Sequence, residues 1–299
     1  MAKAAVVKLE TPKAGPPKPE TKTTGGPDDP EAPSPSQRLL SFMFRPFVAF
    51  LNGLGSHLIL LANALTWLFR RPFRPRLFLE QMEFIGVGSL PIVLLVGFFS
   101  GAVTALQAIS ALSIFGQERW VGATVGIGLA EELAPVFAGL MITARAGSGI
   151  ATELGSMRIT EQVDALTTFA VNPVQYLITP RLIAATLMGP VLTMAFNIIG
   201  LFGAYLVAIV MKNLDVGQVT GLFVDYVEPR HYVKGLIKAG VFGLTLALAA
   251  CYQGFNVRGG AKEVGLATTR AVVTGSVCIL VLDYFLIEML NAIWPLAGK

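Results

Sequence analysis

Charge is what this sequence has least of. Only 14% of its 299 residues are Asp, Glu, Lys or Arg, against 54% hydrophobic, whereas a soluble domain carries about 25% charged residues. That shortage argues against a water-soluble domain, and a mean hydropathy of +0.64 points to an integral membrane protein. Cysteine is nearly missing. Cys251 and Cys278 both lie in apolar runs, which excludes a disulfide framework and makes them small buried hydrophobes. The two histidines, His57 and His231, have no partner at metal-ligand spacing, so no metal centre is expected. No G-x-x-x-x-G-K-[ST] phosphate loop occurs; the one Lys followed by Ser or Thr is Lys22, which lacks the glycines. H-E-x-x-H and G-x-S-x-G are absent too. The chain thus shows no motif for nucleotide hydrolysis, and no cofactor is expected in it.

The charges that are present are unevenly placed. Residues 1–37 hold eight of the prolines and equal numbers of Lys and acids, so the net charge of +4 comes from the remainder. That stretch cannot bury enough apolar surface to offset its ordering entropy and has no signal-peptide core; it reads as a disordered Pro-rich tail. Residues 38–86 follow as an apolar region broken by Pro46, Gly53 and Gly55 and closed by the arginine cluster 70–76. Leu51–Leu68 is long enough to span, but its polar residues and basic end favour an interfacial elbow helix.

Five stretches within 87–292 reach the roughly 20 apolar residues of a crossing: Val87–Phe115, about Thr124–Ile150, Tyr176–Met211, Tyr232–Phe255 and Ala271–Ala292. The first carries Gln107 near its middle and a Gly97-x-x-x-Gly101 pair, a spacing common in any membrane helix. Lys234 and Lys238 read as side chains that snorkel to the interface. The basic residues of alternate connections favour one side, ten against six, which places the N-terminus and the 150–180 connection in the cytoplasm. This surplus suits membrane loops rather than a nucleic-acid surface. The expected fold is all-α and polytopic: an elbow, five transmembrane helices and a cytoplasmic coupling helix.

The second crossing is the unusual one. Glu131 and Glu132 precede Pro135, which removes a backbone donor and kinks a helix. Two placements stand open: near mid-bilayer facing protein or water, or near the outer interface facing solvent. Arg145 lies thirteen residues beyond Glu132, about 20 Å along a helix, where it can snorkel inward and cannot pair with Glu132. Beyond it, Ile159, Val163, Leu166 and Phe169 recur on one helical face, with Thr160 as N-cap and Asn172-Pro173 as terminator. A short amphipathic helix of about 157–169 between two crossings suits a groove on a soluble partner; an ordinary interfacial loop helix is the bland alternative.

Residues 132–166, ELAPVFAGLMITARAGSGIATELGSMRITEQVDAL, followed by NPVQYLITPR, resemble the signature of the MlaE/YrbE permease family. CYQGFNVRGGAKEVGLATTRAVVTGSVCILVLDYFL, residues 251–286, resembles its C-terminal signature, and the likeness extends from about Leu51 to Leu290. Glu131 stands where the family often has a basic residue, and Phe169-Ala170 where Met-Gly is frequent. The resemblance implies a multi-pass homodimer in the bacterial inner membrane. It would bind a cytoplasmic ABC ATPase dimer, which holds the ATP, and pass phospholipid to or from an MCE-domain protein. It makes Gln107, Glu132 and Leu133 candidates for the lipid cavity, and Glu153, Arg158, Glu161 and Asp164 candidates for the ATPase contact. A permease of the same build for sterol or another hydrophobic cargo is the nearest alternative. An intramembrane enzyme using Glu131 and Glu132 ranks lower, because adjacent helical residues point about 100° apart.

Overall fold

A computed structural model describes the backbone of residues 35–68 and 74–294 and the side chains of 51–67 and 74–294. Nearly all of the expected tail, and Arg70, Arg71 and Lys299 from the charge comparison, lie outside these residues. Among the described residues there are eight helical rods and no strand. They are α1 (Pro35–Leu68), α2 (Pro75–Ser113), α3 (Glu118–Ile159), α4 (Gln162–Thr168), α5 (Val174–Met211), α6 (Val216–Tyr226), α7 (Pro229–Phe255) and α8 (Ala261–Ile293). Helices α2, α3, α5, α7 and α8 are each long and apolar enough to cross a membrane. The five expected crossings are therefore present, but most helices run beyond the apolar windows. At 42 residues α3 is about 60 Å long, twice a hydrocarbon core of about 30 Å. The expected break at Pro46, Gly53 and Gly55 does not occur; α1 is continuous.

Small residues decide which helices touch. With lipid outside and protein inside equally apolar, association rests on close packing rather than on the hydrophobic effect. Gly97 and Gly101 of α2 do what their spacing allowed: they sit against Phe196 and the Gly200 backbone of α5. On the other side of α5, Gly189 faces Ala239 O of α7, and Gly243 of α7 faces the Ala185 backbone. Gly235 and Gly254 of α7 in turn meet Ala130 and Ala151 of α3. The last part of α1 lies on α5, with Leu60 and Ala64 buried and Thr179 Oγ1 3.4 Å from Ala64 O. The His57 and Tyr252 rings meet with centroids 4.0 Å apart and planes tilted by 35°.

Five π-helical turns interrupt the rods: Glu83–Val87 in α2, Leu129–Leu133 and Thr143–Gly147 in α3, and Val174–Ile178 and Leu206–Met211 in α5. Such turns recur at functional sites. The one at Leu129–Leu133 holds both acids of the second crossing and ends two residues before Pro135.

The glycine contacts fix an expectation. A side chain at Gly101 would collide with the Gly200 backbone, whereas Gly55 has nothing within 4 Å. Gly101→Leu should cost at least about 1–3 kcal/mol and lower the thermal midpoint of the purified protein, while Gly55→Leu leaves it unchanged. Scanning fluorimetry of both variants reads the difference.

Candidate functional site

Three basic residues of α7, His231, Lys234 and Lys238, recur at three- and four-residue spacing and so share one face. All three are buried, at 3%, 3% and 1% exposure. That face meets the acids of α3 and α8. Lys238 Nζ donates to Glu132 Oε2 and to Glu131 O, both at 2.9 Å. It also lies 2.7 Å from Asp283 Oδ1 of α8, off the angles of a hydrogen bond, so that contact is an ion pair. Lys234 donates to Asn291 Oδ1 at 2.8 Å and stands 3.5 Å from Glu131 Oε1. His231 Nδ1 shares a 2.6 Å hydrogen bond with Glu131 Oε1. A small pocket of about 10 Å³ lies among Glu131, Glu132, Lys234, Lys238, Leu290 and Asn291.

This arrangement corrects several sequence readings. Lys234 and Lys238 do not snorkel; burial inside a bundle obliges each to find an acid or an amide. His231 has a partner, the Glu131 carboxylate. Glu131 and Glu132 belong to one cluster despite their divergent directions, because Lys238 reaches the backbone of one and the side chain of the other. An acid at 131 is matched by His231 and Lys234. The spacing of 231, 234 and 238 was the available signal, a polar stripe on an otherwise apolar helix. Asp283 and Asn291 carried no comparable mark.

Of the three expected cavity residues, the structure brings Glu132 into this cluster and leaves Gln107 outside it, exposed on α2. Leu133 is half-buried and packs on the hydrophobic core.

At the other end, α3 continues past the apolar window to Ile159, and the chain turns through Thr160 and Glu161 into α4. The expected helix of 157–169 is thus two pieces. Thr160 is not an N-cap: its hydroxyl donates back to Ser156 O at 2.8 Å. Glu161 precedes the helix with φ +60, a left-handed conformation that costs a non-glycine residue about 1–2 kcal/mol. Asn172 does not terminate α4. It caps α5 instead, accepting from Val174 N at 2.9 Å. The stop comes earlier, in a Schellman turn with Val171 N on Leu166 O and Ala170 N on Thr167 O, both 3.0 Å, and Ala170 at φ +58.

The four expected coupling residues fall into three situations. Arg158 and Asp164 pair with each other at 2.6 Å across the turn, tying α4 to α3. Glu153 pairs at 2.8 Å with Arg181, which is buried rather than a loop charge and also donates to Leu177 O. Glu161 is exposed at the turn. Val257, Val264 and Ala267, at the turn between α7 and α8, form a small apolar cluster with Ile159 behind it. The Arg158 guanidinium lies 5.9 Å from the centre of the Phe255 ring.

Comparison with known proteins bears on this geometry. Residues 78–289 match the family described as Permease MlaE. A "Probable ABC transporter permease protein" of Rickettsia felis is 42% identical over 243 residues, 81% of this chain and 93% of the relative. The "Intermembrane phospholipid transport system permease protein MlaE" of Haemophilus influenzae is 36% identical over 211 residues, 70% of this chain and 81% of that one.

Two outcomes follow from the site. Lys238→Met strands two carboxylates and should cost about 3–5 kcal/mol, and adding Glu132→Gln with Asp283→Asn should restore most of it, both read from unfolding midpoints. Ala170→Gly relieves the left-handed alanine and should stabilise α4 by about 1 kcal/mol, slowing amide exchange at Val171 several-fold.

Proposed function

The chain belongs to the MlaE permease family, and we propose that it is the membrane subunit of an ABC transporter that moves phospholipid between the bacterial inner membrane and an MCE-domain protein. ATP is hydrolysed by a separate cytoplasmic ATPase dimer, and this subunit works as a pair of identical copies. The N-terminus lies in the cytoplasm, on the side of α4.

The observation that carries the reading is α4, a seven-residue helix held just beyond the end of the longest crossing by the Arg158–Asp164 pair. A partner that moves α4 moves α3 with it, because the only joint between them, Thr160–Glu161, is clamped by that pair. Along α3 the displacement meets the π turns at Thr143–Gly147 and Leu129–Leu133 before it reaches the Glu131–Glu132 cluster. A change there alters how α3 sits against α7 and α8. Lipid shifts such an equilibrium only if it contacts the two states differently. Carboxylates repel a headgroup phosphate, so Glu132 serves the conformational change rather than headgroup binding.

Glu161→Lys combined with Asp164→Lys should abolish co-purification of the ATPase while the protein still inserts in membranes. A complex that forms and transports normally with both changes would defeat the coupling role. Mass spectrometry of lipid in the purified complex separates phospholipid from sterol or another hydrophobic cargo.

A further inference from the structure

Arg145 is the one basic side chain within the five crossings read from the sequence that has no carboxylate within 4 Å among the described residues. Lys234 and Lys238 have Glu131, Glu132 and Asp283, and Arg181 has Glu153. Yet Arg145 does not hang loose. Its Nη1 donates to Phe84 O at 2.7 Å and lies 3.4 Å from Ser89 Oγ, and Cζ sits 5.3 Å from the Phe84 ring centre. Both Arg145 and Phe84 are on π turns, so two irregular segments face each other. Gly88 leaves the room the guanidinium occupies, and a methyl group at Gly149 would come within 2.7 Å of the Phe84 ring. The side chain is thus fixed by one nitrogen. Nη2 and Nε make no hydrogen bond and are not sealed from the surface.

The depth is informative. Arg145 lies five residues, about 8 Å, inside Ile150, where the apolar window of the second crossing ends in the sequence, and Phe84 three residues outside Val87, where that of the first begins. Both belong to the end of the bundle that carries α4. A long cation at that level extends toward the headgroup layer, where the abundant anion is a phosphodiester. Guanidinium matches phosphate through two parallel N–H bonds.

We propose that Arg145 is a phosphate-binding residue for phospholipid headgroups on the α4 side of the membrane, held in place by Phe84 O and Ser89. This deepens the lipid-transport reading and rests on it for the choice of lipid over free phosphate. It also supplies the base that the acid-rich cluster cannot spare.

The test uses the chain with its ATPase in nanodiscs of phosphatidylethanolamine and a phosphate-free galactolipid in equal amounts. Lipid retained after detergent exchange is counted by mass spectrometry. Wild type should favour the phospholipid by about tenfold, the worth of one charge-assisted pair, and Arg145→Gln should bring the ratio near one. Arg145→Lys keeps the charge and a donor for Phe84 O but loses the fork, and should fall several-fold. A folded Arg145→Gln or Arg145→Lys with the wild-type ratio overturns the proposal. In unaltered protein, phospholipid and not galactolipid should shield Arg145 from phenylglyoxal. Shielding by inorganic phosphate alone, with none from phospholipid, would assign a free anion and overturn the headgroup role. A complex that carries no lipid between vesicles would defeat the transport reading, while the retention ratio still decides on Arg145.

Discussion

An ammonium with 1% exposure in a membrane-spanning helix is the constraint on which the rest of this bundle depends. Lys238 is tolerable only because Glu132, Asp283 and the Glu131 carbonyl surround it. Those groups come from two helices, α3 and α8, and the lysine from a third, so satisfying one charge fixes the register of α3, α7 and α8 together. The glycines make this possible. Gly235 lets α7 settle on Ala130, one turn from Lys238, and without that approach the side chain could not reach the α3 backbone. Burying ions costs several kcal/mol each, and apolar residues of like volume often stabilise a fold better. Such a cluster is therefore poorly explained as a stabiliser. It specifies one arrangement of three helices, and water entering between them offers an alternative for every group in it.

Helix α3 joins this cluster to everything else. Its N-terminal half carries Glu131 and Glu132, its C-terminal half Arg145, and its last turns the Glu153–Arg181 pair and the α4 joint. The first two of these points lie on π turns, where the helical bonding pattern has an extra residue to redistribute. A rod with two soft places and three fixed attachments can bend without sliding. The first turns of α5 and α8 hold it just before the joint, through the Arg181–Glu153 pair and the Thr152–Thr268 hydroxyl contact at 2.8 Å.

The crossings were legible in the sequence because apolar length is a property of the chain alone. Their ends were not. Helices continue past the hydrocarbon on hydrogen bonds that composition does not mark, and hence Ile150 as an end gives way to Ile159. The short helix after the second crossing was legible as a period of three and four, but its bounds and punctuation were misread. Thr160 can cap a helix or bond back to the preceding turn, and the pull of α3 decides for the latter. Ala170 gives no sign of a left-handed residue, since glycine is the usual mark. Lys238 was misread for a different reason. Snorkelling and pairing look identical until the neighbouring helices are placed, and Asp283 is 45 residues further along.

Separating charge into two places along α3 resolves a difficulty in any lipid-carrying reading. A site rich in carboxylates repels phosphate, and here each lysine near those carboxylates is already engaged by an acid or a carbonyl. Freeing one for a headgroup would leave a buried acid unpaired, at a cost comparable to the gain. Arg145 escapes that exchange, because a backbone carbonyl holds it without neutralising it. Glu132 in the acid–base cluster and Arg145 then stand thirteen residues apart on one helix, about 20 Å. At that distance their direct electrostatic interaction is weak, and the rod between them carries whatever coupling exists.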